Sequence, residues 1–224
     1  MVSALLSAQP WRRQRWLVLA PHPDDETLGV GALIAQTAGD GRLAGVVYLT
    51  DGSGSHGADG TPKQRLVSAR KREAAHALFR LVRRRSRDPL HLGWKDAAPA
   101  APEDRAFLRS ARKLAALCMR LRVDAVAVTA LHETHCDHAA AARLAYAAQA
   151  MAKRNLLVAE YTVWADAPGA QSFRAVRTEA MLPGRRRHAL RAHRSQLTAS
   201  HGPGFRLPAE RQRMSDRDTL YVRR

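Results

Sequence analysis

An apolar pentad, Trp16-Leu17-Val18-Leu19-Ala20, runs straight into the polar packet Pro21-His22-Pro23-Asp24-Asp25-Glu26. A short apolar run bounded by turn residues reads as a strand buried on both faces. Strands of that kind belong to parallel sheets, whose neighbours must be joined by crossover segments, usually helices. The chain is thereby directed to an α/β plan, with metal-binding and acid/base groups at the end of a rigid element. A second packet, His135-Cys136-Asp137-His138, follows another apolar run, Val123 to Leu131.

The rest of the sequence alternates in the same way. Strands are expected at Trp16 to Ala20, Leu43 to Leu49, Leu90 to Leu92, Asp124 to Thr129 and Leu156 to Trp164. Helices are expected between them, at Glu26 to Ala38, Pro62 to Arg83, Glu103 to Arg122 and Ala139 to Lys153. A polar, Gly-rich loop fills Gly52 to Gly60. Beyond Pro168 the pattern changes to a strand near Phe173 to Ala180, a helix near Arg185 to Leu197 and a strand near Leu220 to Val222. The expected fold is α/β: a Rossmann-like, doubly wound, mostly parallel sheet with helices on both faces. One domain over residues 1–224, with a core at about 16–197, is expected because no linker or repeat interrupts the alternation. In the common strand order 3-2-1-4-5, ligands bind where the order reverses, between the first and fourth strands. Those two strands carry the two packets.

The packets hold the chemistry of a metal-dependent hydrolase. Pro23 biases His22 toward an extended backbone, so the imidazole is presented from a stiff strand extension. Asp25 offers a carboxylate three residues on, and His138 completes a set of two imidazoles and one carboxylate. That set, with positions left for water, suits catalytic Zn2+, and Fe2+ uses the same ligand types. Asp24, beside a ligand, suits the general base. His135 could steady an oxyanion or pass a proton to the leaving group. Asp137 could orient either histidine. Helix capping explains one or two of the three acids, but not the His-Pro that precedes them.

Other signals are weaker. His132-Glu133-Thr134-His135 lacks the second histidine of the zinc-protease helix, because Cys136 stands there. Gly29 and Gly31 lack the third glycine of a dinucleotide fingerprint. The formal charge of +17 comes mainly from arginine, clustered at Arg80 to Arg87, Arg185 to Arg194 and Arg223. It reads first as solvated helix faces, and second as a surface for an anionic partner. No nucleic-acid motif accompanies it, so no specific nucleic acid is expected. Two cysteines in different contexts, Cys118 and Cys136, argue against a disulfide framework. With no secretory pattern and no transmembrane window, a cytoplasmic protein is expected.

With these residues in view, the chain resembles the PIG-L/LmbE-like family of zinc-dependent N-acetylglucosaminyl deacetylases. His22-Pro23-Asp24-Asp25-Glu26 is similar to the family signature, and His135-Cys136-Asp137-His138 resembles its His-x-Asp-His motif, with Cys136 where proline is usual. Arg70-Lys71-Arg72-Glu73 resembles its Arg-x-x-Glu, and His193-Arg194-Ser195-Gln196 its late His-x-Ser-Gln. The resemblance implies His22, Asp25 and His138 as metal ligands and Asp24 as base. It implies His135 as oxyanion stabiliser or proton donor, and Arg70 and Asp96 as groups that hold sugar hydroxyls. The implied substrate is a small N-acetylated amino-sugar conjugate, made anionic if the arginine surplus serves it. The competing readings are an esterase or amidase acting outside sugars, and a basic nucleic-acid-binding protein with a vestigial site.

Overall fold

The computed structural model describes residues 3–57, 62–83 and 88–224. Parts of the Gly52 to Gly60 loop and of the Arg80 to Arg87 run lie outside the described residues. The strands are β1 (Ser3–Leu5), β2 (Trp16–Ala20), β3 (Leu43–Thr50), β4 (Leu90–Trp94), β5 (Ala125–Thr129), β6 (Leu157–Tyr161), β7 (Phe173–Arg177) and β8 (Thr219–Arg223). The α-helices are α1 (Asp25–Gly39), α2 (Lys63–Val82), α3 (Arg105–Arg120), α4 (Cys136–Met151), α5 (Arg185–Leu190) and α6 (Arg194–Leu197). Among the described residues, all eight strands join one sheet in the order β1-β7-β8-β6-β5-β2-β3-β4, in which β8 alone runs antiparallel to its neighbours. The segment β6-β5-β2-β3-β4 is the expected doubly wound core.

Period-two burial along β2 explains the three layers. Trp16, Val18 and Ala20 face a core formed with α1, α2 and α5, whereas Leu17 and Leu19 face the core under α3 and α4. Helix α3 gives its apolar face, Phe107, Ala111, Leu114 and Cys118, to the second core. β2 and β5 pair in parallel from Trp16↔Ala125 to Leu19↔Val128, so their carboxyl ends lie side by side. That register brings the two packets together.

One expectation changes, and one strand adds to the sequence reading. The helix expected from Arg185 to Leu197 is broken into α5 and α6, with His193 at a non-helical turn between them. β1 was not legible, because three residues at a sheet edge carry too little pattern to be read.

Candidate metal centre

The loop after β2 is fixed before any ligand is considered. Thr50, at the end of β3, donates both its backbone N–H and its hydroxyl to Pro21 O at 3.0 Å. Asp24 then adopts φ 138°, ψ −29°, a conformation that costs a non-glycine residue of order 1–3 kcal/mol. Four hydrogen bonds hold it there. Glu26 Oε2 accepts the Asp24 N–H at 2.9 Å, Arg70 Nη2 donates to Pro23 O at 2.8 Å, and Asp24 O accepts from Thr27 and Leu28. Arg70 Nη1 also donates to Gly52 O at 2.9 Å. Gly52 sits at φ 69°, and a Cβ there would come within 2.7 Å of the Arg70 guanidinium. The carboxylate of Asp24 caps no N–H of α1, so capping does not account for that acid.

Asp25, in the first turn of α1, places Oδ2 3.1 Å from His22 Nδ1 and 3.3 Å from His138 Nε2. Ligands bound to zinc at about 2.0–2.2 Å stand roughly 3.0–3.5 Å from one another, and both of these distances to Asp25 fall in that range. The far nitrogens also face carboxylates. His138 Nδ1 faces Glu133 Oε2 at 3.4 Å, and His22 Nε2 faces Asp137 Oδ2 at 3.0 Å and Asp96 Oδ1 at 3.2 Å. A metal-ligating imidazole typically presents its second nitrogen to a carboxylate in this way. Among the described residues, two groups have donors lying within 4.8 Å of one another: His22, His135 and His138, and His22, Asp96, His135 and Asp137; Asp25, the carboxylate expected as a ligand, is in neither.

Electrostatics favours a cation at this point. Burial disfavours the His22 imidazolium, yet hydrogen bonds to Asp137, Asp25 and Asp96 outweigh it and hold the pKa well above the ordinary histidine range. Burial likewise opposes the charge on His138, but Asp25 and Glu133 raise it to about 9. Asp25 resists its own burial through His138 and His22, and is held well below the usual carboxylate range. The cluster of buried carboxylates stabilises positive charge between them. A divalent cation supplies that charge, and the donor set fits one.

The remaining candidates divide by what their side chains touch. Asp24 lies 3.5 Å from Arg70 Nη2, and burial lifts its carboxyl to about 6 against the pull of that guanidinium. His135 caps α4, its Nδ1 accepting the Asp137 N–H at 3.2 Å, which leaves Nε2 to carry the ring proton. Burial and the neighbouring His22 and His138 lower its pKa, so it is a neutral donor at pH 7. Asp137 is fully buried and faces His22, and it also accepts the Ala97 N–H at 2.8 Å. Its carboxylate lies against His22, and the side-chain cap on α4 is made by His135. Asp96 accepts from Gly54 N at 3.0 Å and is drawn down to about 2, its contacts with His22 and Arg70 outweighing burial.

A cavity of about 230 Å³ opens over this cluster. His22, Asp24, Asp25, Arg70, Asp96, His135 and His138 all border it, together with Leu28, Trp164, Gln196 and Phe205. Trp164 and Phe205 meet edge to face at the rim, and Arg211 stacks over Trp164. Sequence reasoning missed these rim residues, which come from distant loops with no local signature. It also missed Glu133, an acid in the loop after β5, five residues before His138. Glu73 does not pair with Arg70. It accepts from Ser195 N at 2.9 Å and Ser195 Oγ at 2.6 Å, joining α2 to the late His-Arg-Ser-Gln segment.

Residues 17–149, more than half of the chain, match the PIG-L family, GlcNAc-PI de-N-acetylase. The chain belongs to the PIG-L family. Among solved structures it is similar to the N,N'-diacetylchitobiose deacetylase of Pyrococcus horikoshii, at 19% identity and a TM-score of 0.66, covering 84% of this chain and 73% of that one. It is also similar to the conserved protein TT1542 of Thermus thermophilus, at 28% identity and a TM-score of 0.61, covering 85% and 82%. The zinc-inhibited form of the teicoplanin deacetylase Orf2 aligns at 20% identity with a TM-score of 0.58, covering 94% and 98%. No curated protein matches in sequence. As a PIG-L member the chain is a hydrolase of amide bonds in N-acetylated amino sugars, and its His/Asp cluster suits a divalent metal. No helix among the described residues is long and apolar enough to cross a membrane.

Proposed function

We propose that the chain is a zinc-dependent deacetylase that releases acetate from an N-acetylglucosamine-type conjugate. The observation that carries this reading is the convergence of His22 Nδ1 and His138 Nε2 on one oxygen of Asp25, with Asp24 next in the chain. His22, Asp25 and His138 hold the metal. When bound, zinc supplies an acidified water and polarises the acetamide carbonyl.

This chain's own residues do the rest. Asp24 takes a proton from the attacking water, and a carboxyl near pKa 6 can then return it to the amine nitrogen as the C–N bond breaks. His135 donates Nε2–H to the carbonyl oxygen as negative charge develops there. Its neutral state favours the oxyanion role over that of proton donor. Asp137 fixes the His22 ring, and Arg70 and Asp96 border the cavity where the sugar hydroxyls sit. Arg70 also maintains the strained Asp24 turn through Pro23 O.

At about 230 Å³ the cavity is smaller than the roughly 300–1,000 Å³ of drug-sized sites, so it admits one sugar ring. The aglycone then crosses the Trp164–Phe205 rim, where Arg211 and Arg206 favour an anionic group. Two free cysteines suit a cytoplasmic setting.

The test is acetate release from a panel of N-acetylglucosamine conjugates by zinc-loaded protein, with O-acetyl sugars in parallel. Release from an N-acetyl member, lost in Asp24→Asn with zinc still bound, is expected. Release from O-acetyl members alone would replace the reading with an esterase. Equal rates on neutral and anionic conjugates at every salt concentration would remove the anionic aglycone.

A further inference from the structure

Helix α1 is broken at Val30, where φ is −137° and ψ 27°. A break strands carbonyls before it and N–H groups after it. Both are met by one buried ion pair from outside the matched family segment. Arg186 of α5 donates Nη1 to Thr27 O at 2.9 Å and to Leu28 O at 3.1 Å. Asp218, just before β8, accepts the Leu33 N–H on Oδ2 at 2.8 Å. Arg186 Nη2 and Asp218 Oδ1 then pair with each other, with side chains only 4% and 2% exposed.

The arrangement is a wedge with its charges correctly placed. The cation lies against the carbonyl end of the first half-helix and the anion against the N–H end of the second, as helix dipoles favour. Asp218 is held in turn by its own N–H, which donates to Thr178 Oγ1 at 2.9 Å. On the other side, Gly29 is pressed against Tyr161, whose ring leaves no room for an added Cβ. The first half-helix is thus clamped between Tyr161 and the ion pair, and it begins with Asp25. Arg186 belongs to the arginine run that the sequence reads as solvated, yet it is 3% exposed.

We propose that Arg186 and Asp218 are positioning residues for the reaction. By setting the angle at which the Asp24–Gly29 turn leaves β2, the pair places Asp25 for the metal and Asp24 for the water. The inference rests on the roles proposed above for those two residues.

The experiment uses the double variant R186M/D218L in the full chain. Replacing a buried ion pair by apolar residues of similar bulk is often neutral for stability, but here Thr27 O, Leu28 O and Leu33 N–H also lose a partner, so thermal unfolding of the variant is measured first. Zinc affinity is read by calorimetric titration, without substrate. A loss of about 10–100-fold is expected, the scale of groups that orient ligands. A matching fall in kcat with KM unchanged is expected as well, because the sugar-facing residues are untouched. If the double variant fails to fold, D218N is subjected to the same two readings. A folded variant with wild-type zinc affinity and wild-type kcat would overturn the inference and leave the pair a structural one. Wild-type protein that binds zinc but releases no acetate would instead defeat the deacetylase reading, and the zinc titration would still decide the role of the pair.

Discussion

Nε2 of His193 lies 3.1 Å from Oε1 of Glu26, a residue 167 positions away in the chain. Both side chains are fully buried, and the other Glu26 oxygen holds the N–H of Asp24. This pair ties the late segment to the metal loop. Removing one partner of a buried pair leaves an uncompensated charge and costs about 3–5 kcal/mol. Glu26→Gln and His193→Ala are therefore expected to lower Tm strongly in thermal unfolding, and an unchanged Tm would contradict the pairing.

The pair also sets a pH window. Burial opposes both charges, but His193 holds Glu26 below its usual pKa, and Glu26 holds His193 above its own. The Glu26 contribution is present above its unfolded pKa of 4.5 and is lost as pH falls through the folded value. The His193 contribution is full below 6.5 and is lost as pH rises through its raised folded value. Denaturant titrations across pH are expected to show the wild-type advantage over Glu26→Gln greatest between those limits.

Asp24 should shape the pH profile of catalysis. With its carboxyl near 6, kcat/KM should rise with pH to about 6 and then level. The Arg70 guanidinium favours the carboxylate, so Arg70→Met should move this acid limb to higher pH as well as reduce kcat. An acid limb shifted to lower pH in that variant would contradict the assignment.

Glu133 faces the outer nitrogen of His138 and also accepts the Val163 N–H at 2.6 Å. Glu133→Gln keeps the shape but removes the charge behind His138, the ligand proposed above. Zinc affinity measured by competition with a chelator should fall about 10–100-fold.

The two thiols should behave differently. Cys118 is buried in the second core, where desolvation pushes it up to about 12, whereas Cys136 is exposed at the start of α4. A thiol-reactive chromophore should modify one cysteine in native protein and both in denaturant. Two fast native thiols would place Cys118 outside the core.

The sequence disclosed those parts of the molecule that repeat a strong local pattern. Trp16 to Ala20 and Ala125 to Thr129 were legible because strands buried on both faces are uniformly apolar. Their adjacency followed from doubly wound topology, and with it the meeting of His22, Asp25 and His138. What sequence could not resolve was how each charge is used. Arg70 and Glu73 share one turn of a helix, yet each reaches a different loop. Arg186 looks like its exposed neighbours, and only the fold turns it inward to the break at Val30. Trp164 and Phe205 belong to separate loops, and their meeting is purely tertiary.

The most direct test of the metal assignment is anomalous diffraction at the zinc edge from crystals grown with zinc. His22 has two faces: Nδ1 toward Asp25, and Nε2 toward Asp96 and Asp137. The expected peak lies about 2.0–2.2 Å from His22 Nδ1, an Asp25 oxygen and His138 Nε2. A peak among Asp96, Asp137 and His135 instead would contradict the assignment, transferring the ligand role to the carboxylates assigned here to orientation and substrate.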